Sequence, residues 1–278
     1  MKKIRIVSDS SSDVVRLEDV DFISVPLTIH TQDREFPDME ETDVEEMATF
    51  LDQYSGRSTT SCPNVEDWYQ SFGEAEEIFC LTITSTLSGS YNAACTAANT
   101  YMEKHPGRRV QVIDTLSTGP EMRLILEKMQ QSLKEGLSFE EIAEAVRVYR
   151  EKTGLLFVLE SMKNLANNGR VSKLVASLAG MMHIRVVGRA SDQGDLEPLD
   201  KPRGAKNTLK SLLQQLNRLG YRGGKLRIDH CMNENAATAL RDAVLALYPK
   251  ADIQIAACRV LCSFYAQKGG LLIGYEAQ

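Results

Sequence analysis

Between Thr82 and Tyr91 the sequence TITSTLSGSY places seven hydroxyl side chains in ten residues. They follow the apolar run EIFCL and lead into a stretch with Tyr91, Ala94, Cys95 and Ala98 at helical spacing. Hydroxyls placed where a strand ends and a helix begins have two uses. They cap the helix, which takes only one hydroxyl, or they hold an anion, because free N–H groups and the helix dipole favour negative charge there. RSTTSCPN, from Arg57 to Asn64, is a second cluster ahead of a helix start and admits the same two readings. The two clusters can converge on one anion. In NNGRVSK, from Asn167 to Lys173, Arg170 is either a surface arginine beside a C-cap glycine or a contact for a partner or its phosphate.

Motifs for bond-making chemistry are missing. A nucleophilic serine needs an adjacent base, and Gly-x-Ser-x-Gly does not occur. No glycine-rich phosphate loop or dinucleotide fingerprint is present. The four histidines are scattered, and His230, Cys231, Cys258 and Cys262 match no common zinc spacing. The expectation is therefore no catalytic residue, no metal and no cofactor.

The elements that must position these residues alternate through the first half. KIRIVSD (Lys3 to Asp9) and VDFISVPLTIH (Val20 to His30) read as strands, as do Glu77 to Thr82 and Arg108 to Asp114. Between them, Thr42 with Glu45, Thr118 with Glu121, and Ser138 with Glu141 have capping-box spacing ahead of helices. Another helix follows Asn64. Strand–helix alternation predicts a mostly parallel sheet between two helical layers. Beyond GLLFVLE the pattern changes. MHIRVVGRA and GDLEPLD flank SDQG as a hairpin, Leu209 to Leu219 form a helical stripe, and GKLRIDH, ADIQIAA and GLLIGYE read as strands. The prediction is an α/β protein of two domains. Residues 1–155 form a three-layer α/β/α domain, and residues 156–278 an α+β layer with a mixed or antiparallel sheet.

Bulk properties limit the partners. A formal charge of −6 over 278 residues argues against nucleic acid. No apolar run approaches the roughly 20 residues that a membrane helix needs, nor does the N-terminal segment have the apolar stretch of a signal peptide. These point to a cytoplasmic protein without stable membrane insertion, its six cysteines reduced.

Taken in order, several segments resemble the DegV family of bacterial fatty-acid-binding proteins. IVSDSSSDV (Ile6 to Val14) resembles its opening strand and loop, and TTSCP (Thr59 to Pro63) its Thr-Ser-x-Pro motif. SGSYNAA (Ser88 to Ala94) resembles its helix start, VIDTLSTG its Asp-Ser strand end, and LANNGRVS its Gly-Gly-Arg turn. The hairpin and the following DLEPLDKPRGAKNTL complete a likeness over nearly the whole chain.

The resemblance implies one long-chain fatty acid. Its carboxylate would lie at the junction of a head-group domain (1–155) and an acyl-chain domain (156–278), with the acyl chain in an apolar tunnel. It also implies a carrier, monomeric and not itself an enzyme, that presents the lipid to a separate fatty acid kinase. Matched by motif, Thr60 and Ser88 would bind the carboxylate, with Ser61 beside them, and Arg170 would serve the kinase. Leu155, Phe157, Leu174, Leu178, Met181, Met182, Ile184 and Phe264 are the candidate tunnel lining. The chain departs from the family at YAQKGG, where Tyr265 stands for a histidine, and at Ile184 to Val186 and Asn168-Gly-Arg. Tyr265 still donates a hydrogen bond but carries no positive charge. Two other readings stay beside this one: the same scaffold as carrier or sensor of another anionic amphiphile without a kinase, and an enzyme on an acyl or phosphorylated substrate.

Overall fold

The computed structural model describes residues 4–171 and 185–278. Strands β1 (Ile4–Asp9), β2 (Asp21–Val25), β6 (Glu77–Thr82) and β7 (Arg109–Asp114) form an all-parallel sheet in the order β2-β1-β6-β7. Successive side chains point to opposite faces. Ile6 therefore packs with Phe79 and Leu81 under helices α4 (Pro120–Lys134) and α5 (Phe139–Arg150). Val7 packs with Ile78 and Cys80 under α2 (Val65–Phe72) and α3 (Ser90–Lys104). Three layers result, as the alternation predicts.

The segment Val20 to His30, expected as one strand, is two. After β2 the chain leaves the parallel sheet at Pro26, which has no N–H to donate. The Leu27 N–H is taken by Ser10 Oγ at 2.9 Å. Strand β3 (Thr28–His30) then joins β4 (Glu35–Pro37) and β5 (Thr59–Ser61) in a separate antiparallel sheet, in the order β4-β3-β5.

The remaining strands are β8 (Thr153–Leu159), β9 (Val186–Ala190), β10 (Leu196–Asp200), β11 (Tyr221–His230), β12 (Asp252–Ala257) and β13 (Leu271–Ala277). They form a mixed sheet, β10-β9-β8-β13-β11-β12, in which only β11 and β12 run parallel. Helices α7 (Ala205–Arg218) and α8 (Glu234–Leu247) cover the face carrying Leu156, Val158 and Ile228. The opposite face, with Leu155, Phe157, Leu159 and Leu272, is turned away from them.

Caps follow the sequence at some starts and not at others. Ser138 and Glu141 form the expected reciprocal box, and Asn64 forms one with Asp67. At α1 (Val44–Gln53) Asp43 caps in place of Thr42, whose hydroxyl donates to the Pro37 carbonyl. At α4 the cap position is Gly119, while Thr118 Oγ1 donates to the Ser11 carbonyl. The buried stripe of α3 runs through Ala94, Ala97, Ala98 and Tyr101, leaving Cys95 and Tyr91 half-buried.

Two buried carboxylates fix the loops around the strand ends. Asp9, at the carboxyl end of β1, accepts from Ser11 Oγ, from Ser90 Oγ at 2.6 Å and from the Ile83 N–H at 2.9 Å. Burial pushes its carboxyl above the usual range, and these donors pull it back. Asp38, after β4, accepts the Val260 and Leu261 N–H groups at the start of α9 (Val260–Ala266), at 3.3 and 3.1 Å. Arg259 lies 3.5 Å away.

Replacing Asp9 with Ala leaves three donors without their acceptor, and we expect a loss of about 2–4 kcal/mol, read from urea unfolding. Asp9→Asn, which keeps one acceptor, should lose less. For Asp38, burial raises the carboxyl from 3.8 to about 6. Its contribution is complete below the unfolded value and is lost as the pH rises through the folded one. Unfolding free energy should therefore fall by up to ~3 kcal/mol between about pH 4 and 6 on this account. Asp229, also raised to about 6, titrates in the same window. The difference between wild type and Asp38→Asn across that window isolates Asp38, and parallel curves would refute the assignment.

Candidate functional site

A cavity of about 290 Å³ lies between the carboxyl end of the parallel sheet and the uncovered face of the mixed sheet. Its wall takes Leu27, Ile83 and Leu87 from the segments before α3 and Leu155, Phe157, Leu159, Leu165, Leu196, Leu261 and Leu272 from β8 onward. Thr60, Ser61, Ser88, Arg170 and Tyr265 also reach it. The two hydroxyl clusters and the polar turn, separate in sequence, thus meet at one cavity.

Each polar group arrives on its own element. Strand β5 brings Thr60, whose Oγ1 lies 2.6 Å from the Tyr265 hydroxyl on α9. Arg170 follows α6 (Lys163–Asn167) and is half-buried, not a free surface arginine. Its Nε donates to the Leu87 carbonyl at 3.3 Å and its Nη1 to the Asn168 carbonyl at 2.8 Å. The guanidinium stands 5.8 Å from the Tyr265 ring centre, a cation–π distance. Burial raises the phenol of Tyr265, against the opposing pull of Thr60 and Arg170. Tyr265 is therefore a neutral donor across the physiological range.

The dense hydroxyl stretch divides its labour. Among its seven hydroxyl residues Ser88 is the one that lines the cavity. Its Oγ accepts the Ser90 N–H at 3.2 Å. The cap position of α3 is Gly89, without any side-chain cap, so capping does not account for the cluster. Ser90 donates to Asp9, and the Ser85 N–H donates to the Asp114 carboxylate. Thr84 and Thr86 bond each other at 3.0 Å, and Thr86 Oγ1 donates to the Gly194 carbonyl in the β9–β10 turn at 2.8 Å. Gly194 has φ +82°, and a Cβ there would come within 2.2 Å of Thr84 Oγ1.

Ser61 differs from Thr60. Its hydroxyl is bonded to His30 Nε2 at 2.7 Å, and His30 Nδ1 lies 3.0 Å from Glu35. Of the proposed tunnel residues, Leu155 and Phe157 line the cavity. Phe264 does not. It packs with Ile29, Phe36, Met47 and Val260, because the turn of α9 that aims Tyr265 at Thr60 aims Phe264 toward β3 and α1. Leu174, Leu178, Met181, Met182 and Ile184 lie outside the described residues. Sequence reasoning missed Asp9 as organiser and Cys62, Leu87 and Leu261 as wall. Only Asp9 carries a signal, its place at a strand's carboxyl end.

Chemically, the arrangement gathers neutral hydroxyl donors, one guanidinium and a helix start at an otherwise apolar slot. It can hold an anionic group at one end and exclude water along the rest.

Known proteins share this fold. A structure of a DegV family protein from Eubacterium eligens, loaded with heptadecanoic acid, is 45% identical and superposes with a TM-score of 0.95 over 99% of this chain and all of that one. The Streptococcus pneumoniae Fatty Acid Kinase (Fak) B3 protein, loaded with linoleic acid, is 42% identical with a TM-score of 0.96 over the same shares. A DegV domain-containing protein of Streptococcus pneumoniae R6 is 42% identical over 276 residues, 98% of each chain. The family model described as "uncharacterised protein, DegV family" matches residues 3–278. With a continuous match over that length, this chain belongs to the DegV family.

Proposed function

We propose that the protein binds one long-chain fatty acid and presents it to a separate fatty acid kinase. The observation that carries this reading is the cavity itself: about 290 Å³, near the small end of the roughly 300–1,000 Å³ range of small-molecule sites, with linked polar groups and leucine walls. The two solved relatives hold heptadecanoic and linoleic acid, and one of them is a fatty acid kinase B3 protein.

In this reading Thr60, Ser88 and Tyr265 donate to the carboxylate. Ser61 acts beside them through its bond to His30. Arg170, behind Tyr265, offers its charge to the kinase's product phosphate. Residues 1–155 form the head-group domain and residues 156–278 the acyl domain, with Arg170 and Tyr265 reaching back to the head group. Each buried methylene contributes about 0.8 kcal/mol, so the acyl chain supplies affinity and the hydroxyls supply orientation. The protein acts as a cytoplasmic carrier and a monomer, without catalysis of its own, a cofactor or nucleic acid. Among the described residues no helix is long and apolar enough to cross a membrane. The second reading, a carrier of another anionic amphiphile without a kinase, is favoured by Tyr265, which lacks a positive charge.

Solvent extraction of the purified protein followed by mass spectrometry should release a fatty acid. Absence of any, together with no binding of added fatty acid, would sink the reading. Thr60→Val and Ser88→Ala should each weaken binding by at least about fivefold, or roughly 1 kcal/mol per lost hydrogen bond, and unchanged affinity in both would misplace the head group. With a fatty acid kinase and ATP, the wild type should yield acyl phosphate. Arg170→Ala should lower that yield more than it lowers binding. Lipid binding without any acyl phosphate would select the second reading.

A further inference from the structure

Strand β8 sends Leu155, Phe157 and Leu159 into the cavity and Leu156 and Val158 into the opposite core. Phe157 stands midway along that row. In register it lies directly opposite Gly188 of β9, which is buried. Backbone conformation does not demand this glycine, since its φ is not in the left-handed region. Space does. A Cβ at position 188 would lie 2.3 Å from Phe157 Cζ and 2.7 Å from the Glu197 carbonyl oxygen of β10. The edge of the ring therefore occupies the volume that a side chain at 188 would fill, the cross-strand arrangement by which an aromatic covers a strand glycine. With the β10 backbone behind the glycine, a ring displaced from this notch has the cavity to move into.

We propose that the Phe157–Gly188 pair is the gauge that sets how much acyl bulk the cavity admits, with the ring parked in the glycine notch to leave the middle of the slot open. The proposal rests on the fatty-acid reading above and adds the residues that would select among acyl chains. Filling the notch pushes the ring inward and favours shorter chains. Trimming the ring favours longer or bent ones. A methylene that loses its place costs about fourfold in affinity.

The test is competition by saturated acids from lauric to arachidic, and by oleic acid, against a fluorescent fatty acid on the full chain. Thermal unfolding is followed in parallel. Phe157→Leu should move the preferred acid toward greater length or toward oleic acid, and Phe157→Trp toward shorter acids. Gly188→Ala should follow Phe157→Trp. Because the methyl that Gly188→Ala adds also meets the Glu197 carbonyl, the two Phe157 variants decide the matter if that protein does not fold. A merely structural pair would lower the melting temperature while leaving the rank order of acids as in the wild type, and that result would overturn the proposal. If the wild type binds none of the acids, the fatty-acid reading falls and the gauge with it. Binding with an unmoved rank order removes only the gauge.

Discussion

The carboxylate of Asp9 is the interaction on which the site depends. It sits with no exposure at the end of the central strand β1 and collects one donor each from the loop after β6, the start of α3 and the 3-10 turn Ser10–Ser12. Burying such a group is costly unless donors surround it. Here the cost is offset by fixing three chain segments to one point. Ser88 reaches the cavity because Ser90, two residues on, is held by Asp9. The 3-10 turn is held likewise, and the Ser11 carbonyl then accepts from Thr118 and from the Gly119 N–H.

Asp38 performs the matching task for the other wall. By accepting the first N–H groups of α9 it fixes the helix that carries Tyr265, while the short sheet beside it carries Thr60. The 2.6 Å contact between Thr60 and Tyr265 therefore joins the helix that Asp38 holds to the strand that β3 holds. Donors held on fixed elements can receive an anion by turning their hydroxyl protons, without rearranging the backbone, which lowers the entropic cost of binding.

Most of the fold is legible in the sequence because its signals are local. The alternation of IRIVSD, the Ser138 box and the leucine stripe of α7 each depend on neighbours within a few residues. The Val20–His30 strand misleads because the apolar pattern continues through Pro26 while the hydrogen-bond partners change. Thr42 and Thr118 carry the cap signal, but nearby carbonyls take their hydroxyls. At the site, residue type marks the two hydroxyl clusters and Arg170 as candidates, whereas Thr60, Ser88 and Tyr265 are singled out only by motif comparison. Asp9's place at a strand's carboxyl end is legible, but its organising role is not, because two of its three donors come from residues 74 and 81 positions away. Which side chain faces a cavity depends on packing that no spacing rule encodes, as Phe264 and Tyr265 illustrate: they are adjacent in sequence, yet Tyr265 alone of the two lines the cavity.

Strand β13, the last strand in sequence, lies in the interior of its sheet, between β8 and β11. Its Leu272 lines the cavity, and the preceding helix brings Tyr265 to a partner 205 positions earlier. During synthesis the first half can settle early, yet the pocket has no finished wall until this strand slots into the gap. A nascent or cleaved chain lacking it would leave two unpaired strand edges and an open apolar face. Closure of the cavity thereby waits for β13 to be made and inserted, and a fragment ending before β13 would be prone to aggregate.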